Sequence, residues 1–307
     1  MTTHFLAEAL ATPWALQPER LSAYAAVLAG RYMGLRAARA GGMDEDDHGA
    51  PLKPQAAPQA ARPGNRSGAI AVVGVYGAIT QRASMMSICD GGTSTQAISN
   101  ALRQANADET VSHIVLDIDS PGGSVYGVAE LAAEIRASAK PVTAIANSLA
   151  ASAAYWLGTA AAEFYVTPGG EVGSIGVWMA HEDWSKAMAD AGVATTMISA
   201  GKFKVEGNPY GPLEGEARDF MQSRVNDYYG AFTRDVAKGR KVSVDQVRGG
   251  MGQGRVLGAD QAKAENMVDG VMTFEQVLRQ VARSIAPPKG RSAQEQRRAQ
   301  LALLALE

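Results

Sequence analysis

Short apolar runs alternate with amphipathic segments between residues 69 and 285. The apolar runs predict buried strands, and they lie at 70–76, 113–118, 141–146, 164–166, 175–178 and 195–199. The amphipathic segments predict helices, and they lie at 95–106, 125–138, 150–159, 182–191 and 214–238. In the last helix, Phe220, Val225, Tyr229 and Phe232 have the spacing of a buried face. Strands that alternate with helices imply βαβ units, so the fold class is α/β with a largely parallel sheet.

The sequence predicts four regions. Residues 1–42 are rich in good helix formers and predict an N-terminal helical segment. Residues 43–68 begin with an acidic run and become rich in proline and alanine, a composition typical of a linker. Residues 69–285 form the main domain, and residues 286–307 are a basic and then leucine-rich tail that predicts a frayed helix.

Composition excludes several classes of protein. The chain has 307 residues, 46% of them hydrophobic, and a net charge of −2, so it can bury a large core and has no basic excess for nucleic acid. The single cysteine, Cys89, fits a reducing compartment. The first residues lack the basic and apolar pattern of a signal peptide, and no run approaches the ~18 apolar residues of a membrane span. We therefore expect a soluble, intracellular protein.

Two turns of small residues could hold reactive groups. Gly122 and Gly123 lie between a predicted strand and a helix, where exposed backbone N–H groups can stabilise an oxyanion. Ser152 lies in a second such turn, flanked by alanines, and the N–H of Ala153 after it could be another oxyanion donor. Each feature alone is more typical of ordinary structure, since such glycine turns are common and serine often caps helices.

A serine nucleophile needs a base, and no histidine stands where one is expected. A lysine can be that base when desolvation leaves it neutral, and Lys204 follows Ser152 by 52 residues. Lys202 is the rival lysine, and we expect it to stay solvated. His181 lies 29 residues after Ser152, but acidic neighbours make its context typical of a helix start. A metal site at residues 181–183 is disfavoured because adjacent helical residues do not share a face.

Taken together, these segments resemble the signal peptide peptidase A family of serine proteases, in its bacteriophage capsid-assembly branch. The resemblance covers about residues 69–285 in matching order and spacing. Its pieces are Asp119-Ser120-Pro121-Gly122-Gly123, Ala150-Ala151-Ser152-Ala153-Ala154-Tyr155-Trp156, Val172-Gly173-Ser174-Ile175-Gly176-Val177, Ser199-Ala200-Gly201-Lys202-Phe203-Lys204, Gly254-Arg255-Val256-Leu257-Gly258-Ala259-Asp260-Gln261-Ala262 and Val268-Asp269-Gly270. The sequence departs from the family at Ala153-Ala154, where two glycines are usual, but the Ala153 amide remains available.

The resemblance implies a Clp protease/crotonase-like fold, a spiral of ββα units assembled into a homo-oligomer. It assigns Ser152 as nucleophile, Lys204 as general base, and the amides of Gly122 or Gly123 and of Ala153 as the oxyanion hole. No metal or cofactor is implied. The missing membrane anchor favours the phage branch, whose substrates are scaffold and capsid proteins in the host cytoplasm or prohead. The Ser152 and Lys204 segments can come from neighbouring subunits in this family.

Three other functions remain open on the sequence alone. The chain could be a soluble bacterial peptidase that clears membrane-derived peptides. It could be a non-proteolytic, crotonase-like acyl-CoA binder, for which Ser152 and Lys204 would be dispensable. It could also be a structural protein with a vestigial site.

Overall fold

The computed structural model describes residues 13–16, 68–82 and 91–285. The strands are β1 (Trp14–Leu16), β2 (Ala69–Tyr76), β3 (Ile79–Thr80), β4 (Thr93–Ser94), β5 (Val111–Ser120), β6 (Gly122–Ser124), β7 (Val142–Ala151), β8 (Glu163–Val166), β9 (Glu171–Gly173), β10 (Val256–Gly258) and β11 (Gly270–Val271). The helices are α1 (Thr95–Ala107), α2 (Val128–Arg136), α3 (Ala153–Gly158), α4 (Ser185–Asp190), α5 (Gly215–Arg240), α6 (Val244–Gly249), α7 (Ala259–Ala264) and α8 (Phe274–Ile285), with a 3₁₀ turn at Met251–Gly254.

The main sheet has the order β10-β9-β7-β5-β2, and β8 lies beside β7 and carries β11 on its far side. All of its pairings are parallel except that of β10 with β9. The predicted α/β class with a largely parallel sheet is therefore confirmed. Helices connect the parallel strands because such strands need crossover connections.

Strands β5 and β7 bring two distant turns together. They pair in parallel, and Ser120 near the end of one strand is the partner of Ala150 near the end of the other. The carboxyl ends of parallel strands meet at one edge of a sheet, so the Gly122–Gly123 turn lies beside the turn that follows Ala151. This edge is where the site is built.

Apolar packing covers both faces of the main sheet. The larger cluster joins the sheet to α1, α2, α3 and α5 through fully buried residues such as Leu102, Leu131, Trp156 and Phe232. The smaller cluster places α8 on the other face, with Val277 and Val281 against Val115, Ile145 and Tyr165. Burial on both faces explains why the central strands are continuous apolar runs.

A second, smaller sheet has the order β1-β6-β3-β4. It joins Gly122–Ser124 to Ile79–Thr80 in parallel and to Trp14–Leu16 antiparallel. The sequence did not predict a strand at any of these three places. This sheet is built from pieces remote in the chain, and it flanks the edge that holds the two turns.

Several predicted boundaries were wrong. Residues 175–178 and 195–199 form no strand apart from a single bridge at Trp178, and β7 continues to Ala151 rather than ending at 146. The helix predicted from 150 begins at Ala153, because Ala150 and Ala151 belong to β7. Phe220 was predicted to be buried and is 56% exposed, whereas Phe232 on the same helix is fully buried.

The predicted terminal regions lie mostly outside the described residues. Within the region predicted to be helical, 1–42, the described residues Trp14–Leu16 form a strand. Of the predicted linker, 43–68, only Gly68 is described, and the predicted tail at 286–307 lies outside the described residues. The division of the chain into four regions stays a prediction.

Candidate active site

Ser152 connects the end of β7 to the start of α3 in a strained conformation. Its φ of 55° and ψ of −117° lie outside the regions that a residue with a side chain ordinarily adopts. Its N–H donates to the carbonyl of Gly173 at 2.7 Å, which holds the turn in place. A serine on such a sharp strand-to-helix turn is typical of nucleophile elbows, and strain of this kind is concentrated at functional sites.

Small residues flank Ser152 on both sides, and the large residues that follow them anchor the turn. Ala151 and Ala153 on either side are fully buried, so there is no room for bulk next to the serine. Beyond them, the Trp156 indole Nε1 donates to Asp235 Oδ2 at 2.7 Å. The Tyr155 hydroxyl donates to the Met267 carbonyl at 3.0 Å, and complete burial raises the pKa of Tyr155 above its ordinary value. The helix that follows the serine is therefore fixed to the core.

The predicted oxyanion glycines pack directly against this turn. Gly122 has a φ of 99°, and a Cβ there would lie 2.9 Å from Ser152 Cβ and 3.0 Å from the Ala151 carbonyl oxygen. A Cβ on Gly123 would lie 1.9 Å from the Ile79 carbonyl oxygen. Both positions therefore require glycine, one for its φ and its contact with the serine, the other for its contact with the β3 backbone.

The backbone donors of the site differ in how they are used. The N–H of Ala153, in the first turn of α3, has no acceptor within the helix. The Gly122 N–H donates to Ser120 Oγ at 3.2 Å, and the Ser120 hydroxyl in turn donates to the Gly77 carbonyl at 2.6 Å. The structure thus brings Gly122 and Ala153 next to Ser152, and Gly123 follows Gly122 in the same turn.

Among the described residues, no hydrogen bond joins Lys204 to Ser152. Lys204 lies on an exposed turn, and no hydrogen bond or ion pair of its side chain is found among the described residues. Its rival Lys202 is ion-paired with Glu216, with 2.8 Å between Nζ and Oε1. His181 Nε2 lies 3.0 Å from the Asn208 carbonyl oxygen, and the Ser152 hydroxyl donates to the Gly176 carbonyl at 3.5 Å.

The sequence analysis missed one neighbour of the site. Strand β1 pairs antiparallel with the strand that begins at Gly122, and all three of its residues are buried. Pro13 and Pro18 on either side of the segment are local signals against a continuous helix there. The strand itself could not be predicted, because its pairing partners are more than a hundred residues away.

The described ranges contain neither a candidate membrane span nor a candidate metal cluster. None of the helices in that part of the chain has the length and hydrophobicity needed to cross a bilayer. The same residues contain no cluster of three or more histidine, cysteine, aspartate or glutamate side chains suited to a metal ion.

Two family models match the part of the chain that contains this site. The model of peptidase family S49 matches residues 134–286, and the model of Clp protease matches residues 71–172. The second match agrees with a Clp protease/crotonase-like fold. Together the two matches cover both turns of the site and the segment that carries Lys204.

Individual relatives agree with this assignment. The chain is 37% identical over 193 residues to "Capsid assembly protease C" of Escherichia phage lambda, a match that covers 62% of this chain and 44% of the relative. It is 39% identical over 183 residues to "Head-tail preconnector protein GP5" of Enterobacteria phage P21, covering 59% and 36%. "Protease 4" of Salmonella typhi is 30% identical over 223 residues, covering 72% and 35%. The matched part of the chain is thus less than half the length of each of these relatives. The α/β domain of this chain belongs to peptidase family S49, a family of serine peptidases.

Proposed function

We propose that this chain is a serine endopeptidase in which Ser152 is the nucleophile and Lys204 the general base. The observation that carries the proposal is the conformation of Ser152, a strained and almost fully buried residue against the α-carbon of Gly122. A serine that served only as a helix cap would adopt extended backbone angles and accept a hydrogen bond from the following turn. Ser152 does neither.

The proposed reaction follows the logic of a serine–lysine dyad. The Ser152 oxygen attacks the scissile carbonyl while its proton passes to neutral Lys204, which later protonates the leaving amine. The developing oxyanion is stabilised by the N–H of Ala153 and by an N–H of the Gly122–Gly123 turn. Gly122 donates to Ser120 in this structure, so Gly123 is the better placed of the two glycines.

We further propose that a second copy of the chain completes the site. A lysine acts as a base only when water is excluded, and Lys204 is exposed here. The segment that carries it also exposes large apolar side chains, including Ile198 at 96% and Phe203 at 50%. An apolar surface next to a functional lysine is typical of a subunit interface. A neighbouring subunit would cover this segment. Lys204 of one chain would then lie next to Ser152 of the neighbouring chain.

The proposed substrates are phage scaffold and capsid proteins, cleaved in the host cytoplasm or within the prohead. The support is the similarity to proteins named "Capsid assembly protease C" and "Head-tail preconnector protein GP5". The Lys202 ion pair with Glu216 supports Lys204 as the base, because it leaves Lys204 as the lysine of this segment without an acidic partner among the described residues.

The nucleophile can be tested with purified oligomer and unfolded casein as a general protein substrate. Wild-type protein is expected to cleave casein, and Ser152→Ala to lose at least ~10³-fold in rate with an unchanged circular dichroism spectrum. Ser148→Ala is the matched control, since Ser148 lies on the same strand, also has a positive φ and is exposed. Casein cleavage by Ser152→Ala at close to the wild-type rate would remove Ser152 from the mechanism.

The substrate class needs a separate experiment. Co-expression of the chain with the scaffold and capsid proteins of its own genome, followed by mass spectrometry of the products, is expected to show cleavage that depends on Ser152. Cleavage of casein without cleavage of these proteins would instead support a general bacterial peptidase.

A further inference from the structure

The strand Trp14–Leu16 lies in the position of a substrate. It is bordered on one side by the strand Gly122–Ser124, with the pairs Trp14–Ser124, Ala15–Gly123 and Leu16–Gly122. On the other side, Trp14 exchanges two backbone hydrogen bonds with Trp178, at 2.9 and 3.0 Å. An extended segment held on both edges beside a catalytic serine is the arrangement of a peptide bound by strand addition.

The hydrogen bonds decide which carbonyl faces the nucleophile. Successive residues of a strand point their backbone groups to opposite edges. The backbone groups of Trp14 point towards Trp178, so those of Ala15 point towards Gly123. The Pro13 carbonyl points to the same edge as Ala15 and accepts from the Val125 N–H at 3.3 Å. The Leu16 carbonyl points the other way and accepts from the Trp178 indole Nε1 at 2.8 Å.

The Ala15 carbonyl oxygen is the one that approaches Ser152. The position that a Cβ on Gly122 would occupy is 2.2 Å from the Ala15 oxygen and 2.9 Å from Ser152 Cβ. The Ala15 oxygen and Ser152 Cβ thus both face the α-carbon of Gly122. Ala15 and Gly123 form the hydrogen-bonded type of antiparallel pair, so the Gly123 N–H points at the Ala15 oxygen, as an oxyanion donor would.

We propose that the chain cleaves its own Ala15–Leu16 bond, with residues 13–15 in the groove that binds the acyl side of substrates. This rests on the proposed peptidase function and adds its first substrate, a segment with a small residue at the cleaved carbonyl. Ala15 is fully buried and Ser152 is 1% exposed, so the groove accepts little bulk at this position and is closed to other substrates while the strand is bound.

The reaction balances with water as the only co-reactant. The Ser152 oxygen bonds to the Ala15 carbonyl carbon, and its proton moves to the Lys204 amine of the proposed dyad. The bond from that carbon to the Leu16 nitrogen breaks, and the nitrogen takes the proton as the new amino terminus. Water then hydrolyses the ester to a carboxylate on Ala15 and regenerates the serine.

The test follows the full-length protein by intact-mass spectrometry and N-terminal sequencing, with casein cleavage measured in parallel. Wild-type chains are expected to lose residues 1–15 and to begin at Leu16, whereas Ser152→Ala chains stay whole. Ala15→Asp is expected to slow this processing at least ~10-fold, because a carboxylate is costly in a buried position. Ala15→Ser is the matched control, since it adds one oxygen and should still be processed.

Each outcome has one meaning. Casein cleavage by wild-type chains that stay intact between Ala15 and Leu16 would overturn self-cleavage and leave the peptidase function standing. Absence of both activities would overturn the two proposals together. Processing of Ser152→Ala chains at the same bond would assign the cut to another protease and also overturn self-cleavage.

Discussion

The indole ring of Trp156 lies parallel to the phenyl ring of Phe232, with 4.7 Å between the ring centroids and 6° between the ring planes. Trp156 belongs to the short helix that follows Ser152, and Phe232 belongs to the long helix α5. Asp235, one turn further along α5, accepts from the Trp156 indole and lies 3.4 Å from Arg136 on α2. The turn that holds the nucleophile is thus braced by α5, a helix remote in sequence that is itself ion-paired with α2.

Loss of this ring contact should destabilise the protein. Phe232 is fully buried, so Phe232→Ala removes its packing and leaves a cavity next to Trp156. We expect the free energy of unfolding to fall by about 3–5 kcal/mol, measured by urea denaturation. Phe220→Ala on the same helix is the control, because Phe220 is 56% exposed, and its effect should stay within about 0.5 kcal/mol. Equal losses in the two variants would contradict the role given to the stacked pair.

The Gly123 position should not accept even a methyl group. Its Cβ would lie 1.9 Å from the Ile79 carbonyl oxygen, which is backbone and cannot rotate away. Gly123→Ala should therefore lower the free energy of unfolding by about 1–3 kcal/mol or more and reduce casein cleavage, since the strand beside Ser152 must shift. Gly169→Ala is the control, because a Cβ at Gly169 meets nothing within 4 Å. Unchanged thermal melting and activity of Gly123→Ala would show that β3 and β6 are not in this contact.

Both turns could be predicted from the sequence because the constraint on them is local. Only glycine fits the Gly122–Gly123 approach, and only small residues fit beside Ser152, so the sequence itself displays these requirements. The central strands were predictable for a similar reason, since strands buried on both faces need continuous apolar runs.

Features that depend on distant partners could not be predicted. Residues 175–178 are apolar enough for a strand, but the preceding Gly173 and Ser174 have positive φ values that turn the chain out of the sheet. Residues 195–199 have no strand beside them in the described chain, so their apolar side chains remain exposed. The segment Gly122–Ser124 is a strand only because Trp14–Leu16 and Ile79–Thr80 lie against it.

Mildly acidic pH should weaken the fold through His113. This side chain is buried with Nε2 3.0 Å from Thr143 Oγ1, and burial lowers the pKa of His113, an effect that the charge of Glu163 only partly offsets. The unfolded chain, with a histidine pKa of about 6.5, therefore takes up this proton first. The contribution to stability is complete above that pH and is lost as pH falls towards the lower folded value.

The measurement is urea denaturation between pH 7.5 and 5.5. Wild-type protein should lose more stability across this range than His113→Gln, which keeps a group able to hydrogen-bond Thr143 but does not titrate. The same pH dependence in both proteins would show that His113 does not cause the loss.

Activity should be recovered when two inactive variants are mixed, if the dyad is shared between subunits. Ser152→Ala keeps an intact Lys204, and Lys204→Ala keeps an intact Ser152, so each is expected to be inactive alone. Random mixing in equal amounts joins an intact serine to an intact neighbouring lysine at one junction in four, so the mixture should regain about a quarter of the wild-type rate per chain.

Lys202→Ala is the matched control and should stay active, because Lys202 is already paired with Glu216 in the wild-type chain. Lys204→Arg should remain inactive, since a guanidinium cannot accept the serine proton. A lack of recovery in oligomers shown to contain both variants would place the serine and its base in one chain.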